Sequence, residues 1–112
     1  MSRQQPTDTD PAALRDEYPS GWRVLTQHET VGYMIDALMD APDYNFSKSK
    51  LAEHAGVSRQ SVHTHLPLLR RLGIVTVVEG TSPVKYTLNS DDELVTELHR
   101  LNGLVNQKLC DG

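Results

Sequence analysis

A single cysteine, Cys110, stands among 112 residues. That excludes an internal disulfide framework and leaves a cysteine-built zinc site without its ligands. Aromatic residues are scarce, with one Trp, one Phe and four Tyr, so a core must rest on aliphatic side chains. No apolar run approaches the ~20 residues of a membrane-spanning helix, and the opening stretch Met1–Asp10 is polar rather than signal-like. Glycine-rich nucleotide loops and nucleophile–base signatures are absent. The expectation is a cytoplasmic protein that is not an enzyme, has no membrane partner and needs no cofactor. What is present is ordinary globular stock, 38% hydrophobic and 23% charged, enough to bury one core.

The net charge of −4 argues at first sight against a nucleic-acid partner, whose phosphates favour a basic surface. Partitioning the charge weakens that objection. Residues 1–45 carry −5, residues 46–86 carry +4 and residues 87–112 carry −3. The middle third holds Lys48, Lys50, Arg59, Arg70, Arg71 and Lys85 against only Glu53 and Glu79. A basic island in an acidic chain points to partners better than the net value does.

Residues 1–10 read as a disordered lead, residues 11–89 as one domain, and residues 90–112 as an additional helix. Asp10-Pro11 is a helix start, so a short helix is expected over 11–17, halted by Pro19-Ser20-Gly21. Thr26 and Glu29 have capping-box spacing, and Val31, Met34, Ile35, Leu38 and Met39 recur at helical intervals behind them. That predicts a helix over about 27–40. Tyr44-Asn45-Phe46 alternates and suffices for one edge strand. Ser47 caps a helix over 48–55, and Gly56 follows as a residue able to take positive φ. Ser58 caps a third helix with an apolar face of Val62, Leu66, Leu69 and Leu72, closed by Gly73. Pro67 removes one hydrogen bond within it, yet the apolar spacing continues past it, so a kinked, continuous helix is expected. The β-rich runs 74–78 and 84–88 flank a five-residue loop and predict a hairpin. Ser90-Asp91-Asp92-Glu93 reads as a second capping box, and a long last helix is expected over about 91–109.

The segment from Leu51 to Val62 is the specific part. A helix-turn-helix needs a small residue where its helices cross, a glycine at the turn four residues on, and a β-branched core residue six beyond that. Ala52, Gly56 and Val62 fulfil these in order, with Leu51 and Val57 between them. A helix, a helix-turn-helix and a two-stranded hairpin follow one another as in a winged helix. The fold class expected is therefore mainly α, with a small β-hairpin wing and a C-terminal helix.

With Val62 facing the core, Arg59, Gln60, His63 and Thr64 occupy the outward face of the first turns of the third helix, the part that meets base edges in a major groove. Arg suits guanine, Gln suits adenine and Thr suits a thymine methyl. A merely solvated face would mix acids with bases, yet positions 54–78 hold no acid. Candidate phosphate contacts are Ser47, Lys48 and Lys50 at the start of the preceding helix, Ser58, Ser61, Arg70 and Arg71 along the recognition helix (about 58–72), and Thr81, Ser82 and Lys85 about the wing (79–84). His63 and His65 lie about 200° apart on a helix and cannot chelate one ion together, and His54 and His99 lack neighbouring ligands in the sequence, so no metal site is expected. Asp91-Asp92-Glu93 is explained by the helix dipole rather than by Mg²⁺ binding.

The stretch Phe46–Asn89, and more loosely Trp22–Gln107, resembles the small winged helix-turn-helix transcription regulators of archaea, in the wide MarR/ArsR-like group. The likeness is carried by AGVSRQSVHTHLPLLRRLGIV, TSPVKYTL and RLNGLVN, and is greatest to regulators of halophilic archaea. It implies a sequence-specific double-stranded DNA-binding regulator, more often a repressor than an activator. Such proteins are usually homodimers on a pseudo-palindromic operator, associated with the nucleoid. The alternative is a winged helix kept as a protein-interaction module. Leu94, Leu98, Leu101, Leu104, Val105 and Leu109 form an apolar stripe too long for one small core. With Gly103, where two backbones could approach, they are the expected dimer interface.

Overall fold

The computed structural model describes residues 20–111. The lead and the helix expected over 11–17 lie outside the described residues. Five helices and one hairpin follow: α1 (Gly21–Thr26), α2 (Glu29–Asp40), α3 (Lys48–Ala55), α4 (Arg59–Arg71), β1 (Val75–Val78), β2 (Lys85–Leu88) and α5 (Glu93–Asp111).

Two helix starts depart from the expected capping boxes. Gly21, read as part of a breaker, opens α1 because the Ser20 hydroxyl accepts from the Arg23 N–H at 3.2 Å. The extra helix consumes Thr26, whose hydroxyl donates back to the Trp22 carbonyl at 3.0 Å. Glu29 is drawn away as well, its carboxylate accepting from the Tyr33 hydroxyl at 2.6 Å. His28 therefore precedes α2 without a side-chain cap. At the far end, residues 89–92 turn before the helix begins, with Asn89 N–H bonded to the Ile74 carbonyl and its side-chain amide to the Gly73 carbonyl. Asp92 rather than Ser90 caps α5, accepting from the Leu94 N–H at 2.8 Å.

The helix-turn-helix forms as its spacing requires. Gly56 adopts φ 74°, and both its N–H and that of Val57 return to the Ala52 carbonyl. Ser47 and Ser58 cap α3 and α4 through the Lys50 and Ser61 N–H groups. Pro67 is exposed within a continuous α4. Gly73 turns the chain into the hairpin at φ 77°, and a Cβ there would lie 2.8 Å from the Asp92 carboxylate. The strands pair antiparallel, Val75 opposite Leu88 and Val77 opposite Tyr86. Phe46 adds a single bridge to Tyr86, with both hydrogen bonds at 2.7 Å.

One aliphatic cluster unites these elements. Val31, Met34 and Leu38 of α2, Leu51 of α3, Val62, Leu66 and Leu69 of α4, Ile74, and Val95 of α5 are essentially inaccessible. α5 divides in two. Val95 is buried and Leu94 and Leu98 pack against the core, so these two belong to the domain's own interior at least as much as to an interface. Every described residue from Leu101 onward is exposed, although Leu101, Asn102 and Val105 still line an open groove with Trp22 and Leu25 of α1 and Met39 of α2.

Candidate nucleic-acid interface

Capping serines start α3 and α4 beside each other, and the hairpin brings its tip back to the same side. A groove of about 430 Å³ results, lined by Ser47, Lys48 and Ser49 of the α3 start, Arg59 of α4, and Pro83, Val84 and Tyr86 of the wing. Among the described residues, no carboxylate lines it. Arg59, Gln60, His63 and Thr64 are all exposed on α4. Arg70 follows on nearly the same helical stripe as Arg59, roughly 17 Å further along the axis, and is exposed, as is Arg71. In the last turn both cations also complement the helix C-terminus.

Several expected phosphate contacts are engaged within the protein. Ser58 donates to the Ser61 hydroxyl at 2.8 Å while accepting from the Ser61 N–H. Ser47 accepts from the Lys50 N–H, and the Lys50 ammonium lies 3.9 Å from Glu53 in an exposed pair, where solvent keeps the attraction weak. Thr81 donates to the Val78 carbonyl at 3.3 Å and accepts from the Lys85 N–H at 3.2 Å, so its hydroxyl shapes the wing from within. Thr64 donates to the Gln60 carbonyl at 2.9 Å. Ser82 remains exposed at the tip and Lys85 is half-buried. Lys48 reaches across to α4, its Nζ 2.8 Å from His63 Nδ1.

The sequence reading missed Ser49, Pro83, Val84 and Tyr86 as lining residues. Val84, half exposed, carried the clearest overlooked signal, an apolar side chain at a wing tip. Tyr86 is buried in β2, and only the bridge to Phe46 reveals its place.

The other histidines lie elsewhere. His65 stacks on His28 with ring centroids 4.9 Å apart, and burial, then the His28 charge, lowers its pKa. His54 Nε2 meets Asp40 Oδ2 at 3.0 Å, a partner fourteen residues away in the chain. Among the described residues, no three His, Cys, Asp or Glu side chains are grouped to hold a metal ion, and no helix is long and apolar enough to cross a membrane.

No family model matches the chain, and no curated protein does. In structure it is similar to the M. tuberculosis transcriptional regulator MosR, with a TM-score of 0.52 and 20% sequence identity. The superposition covers 89% of this chain and 76% of that one. The chain has a winged-helix fold. At this identity the likeness establishes architecture, in which α3 and α4 form the helix-turn-helix, β1 and β2 the wing, and α5 the C-terminal helix.

Proposed function

We propose that this winged helix is a sequence-specific double-stranded DNA-binding transcription regulator. The observation that carries the reading is the carboxylate-free groove between the α3 start, Arg59 and the wing tip, set in the +4 island of an acidic chain. The first turns of α4 enter the major groove, with Arg59, Gln60, His63 and Thr64 toward base edges. Ser82, Lys85 and the α3 start follow the sugar–phosphate backbone. Repression is the simpler outcome, because it needs only occupation of the operator.

The protein works as a homodimer. Leu101, Leu104, Val105 and Leu109 are 44–74% exposed, and Trp22 is 61% exposed. A second copy laid along α5 removes this surface from water, and a two-fold assembly then reads a pseudo-palindromic operator.

Selection of bound duplexes from a random pool, followed by competition binding, tests the reading. Arg59→Ala or Gln60→Ala should cost about 1–3 kcal/mol on the selected operator and little on random duplex. Lys85→Ala should weaken both about equally and make the salt dependence shallower. Unchanged affinities for Arg59→Ala would remove α4 from the recognition role. An absence of any duplex binding at low salt would favour the protein-interaction reading.

A further inference from the structure

Resting on the DNA-binding reading, we infer that Lys48 is a positioning residue that sets which hydrogen-bonding polarity His63 presents to a base. In the 2.8 Å contact between Lys48 Nζ and His63 Nδ1, a charged Lys48 can only be the donor. An ammonium has three donors and no acceptor, so Nδ1 must accept and carries no proton. The neutral imidazole then holds its hydrogen on Nε2. His63 is exposed on the outward face of α4, and with Nδ1 occupied by Lys48, Nε2–H is the group left to meet a base edge.

A donor at this position selects among bases. Guanine N7 and O6, adenine N7 and thymine O4 all accept in the major groove, whereas cytosine presents its N4–H₂ donor. His63 held by Lys48 therefore tolerates three bases and rejects cytosine at the position it faces. The opposite tautomer would present Nε2 as an acceptor and favour cytosine or the adenine amino group. The choice between these codes lies on α3, fifteen residues away from the residue that reads. Three features keep the geometry in place. Lys48 is the first residue of α3 and half-buried, Ser47 caps that helix, and Thr64 satisfies its hydroxyl on the Gln60 carbonyl rather than on His63.

Two measurements on the full chain test this. Long-range ¹H–¹⁵N correlation on the uncomplexed protein, at about pH 8, reads the tautomer directly. His63 should be wholly in the Nε2–H form, and Lys48→Met should admit the Nδ1–H form as a minor share, since a free imidazole already prefers Nε2–H, while Lys48→Arg, which also donates, should not. On selected operators varied at each base position, the wild type should disfavour cytosine about tenfold at one position. Lys48→Met should lose part of that discrimination, His63→Ala should lose it all, and Lys48→Arg should keep it. A His63 found as Nδ1–H in the wild type overturns the inference, as does discrimination unchanged by Lys48→Met. If selection yields no operator while the tautomer behaves as expected, the DNA reading is what fails, and the base-reading role falls with it.

Discussion

At the scale of single residues, the histidines show how burial and neighbours give one side chain type different work. His63 lies on the open face and engages a cation, whereas His65, two residues on, turns inward and stacks on His28. Burial first, and the His28 charge second, lower the His65 pKa from the ordinary 6.5. The folded state thus prefers neutral His65 more than the unfolded chain does. Its contribution to stability is complete above about pH 6.5 and is lost as pH falls, because the unfolded chain takes the proton first. The urea midpoint of the wild type should decline between about pH 7.5 and 5.5. His65→Gln should decline less over the same window. Equal declines would show that His65 is not the group responsible.

At the scale of elements, α5 is two structures in one helix. Its first turns complete the core through Val95, with Leu94 and Leu98 against it. Beyond Leu101 it offers apolar side chains to solvent, and Gly103 has nothing within 4 Å of where a Cβ would stand. An isolated helix of this length is marginal in water, and Gly103 costs it about 1 kcal/mol relative to Ala. In the proposed homodimer a partner helix would supply the missing burial. Truncation after Asn102 should preserve a cooperative unfolding transition, since the core residues remain, while sedimentation equilibrium should report a dimer for the full chain and a monomer for the truncated one. A truncated protein that keeps the dimer mass would refute the assignment of α5.

At the scale of the whole molecule, charge is sorted by region, −5 and −3 at the two ends and +4 between them. Lysines number four against seven arginines. The carboxylates clustered in the two acidic ends repel one another until cations screen them. Stability should rise as KCl is raised from about 0.1 M to 2 M, and log affinity for DNA should fall less steeply with log salt than the number of phosphate contacts implies, because acids near the rim recruit cations on binding. A urea midpoint indifferent to salt, together with a steep slope, would place the protein in an ordinary low-salt setting.

Local chemistry alone determined much of this. The Ala52–Gly56–Val62 spacing, the serine caps at 47 and 58, the apolar periods of α2 and α4 and the β-rich runs about the wing each depend on neighbours within a few residues. They carried the winged-helix order and the outward face of α4 into the structure unchanged. Sequence reading went astray where two local bonds compete. Thr26 could cap forward or bond back to Trp22, and the helix before it decided the matter. Ser90 and Asp92 could each cap α5, and a turn anchored on Ile74 and Gly73 chose Asp92. Only the tertiary structure joined Lys48 to His63, Asp40 to His54 and the wing tip to Arg59, because each pair meets across elements whose relative placement is set by the shared core. The division of α5 has the same origin. Its apolar stripe is continuous in sequence, and it is the packing of the domain beneath that covers Leu94 and Leu98 and leaves the side chains from Leu101 onward largely exposed.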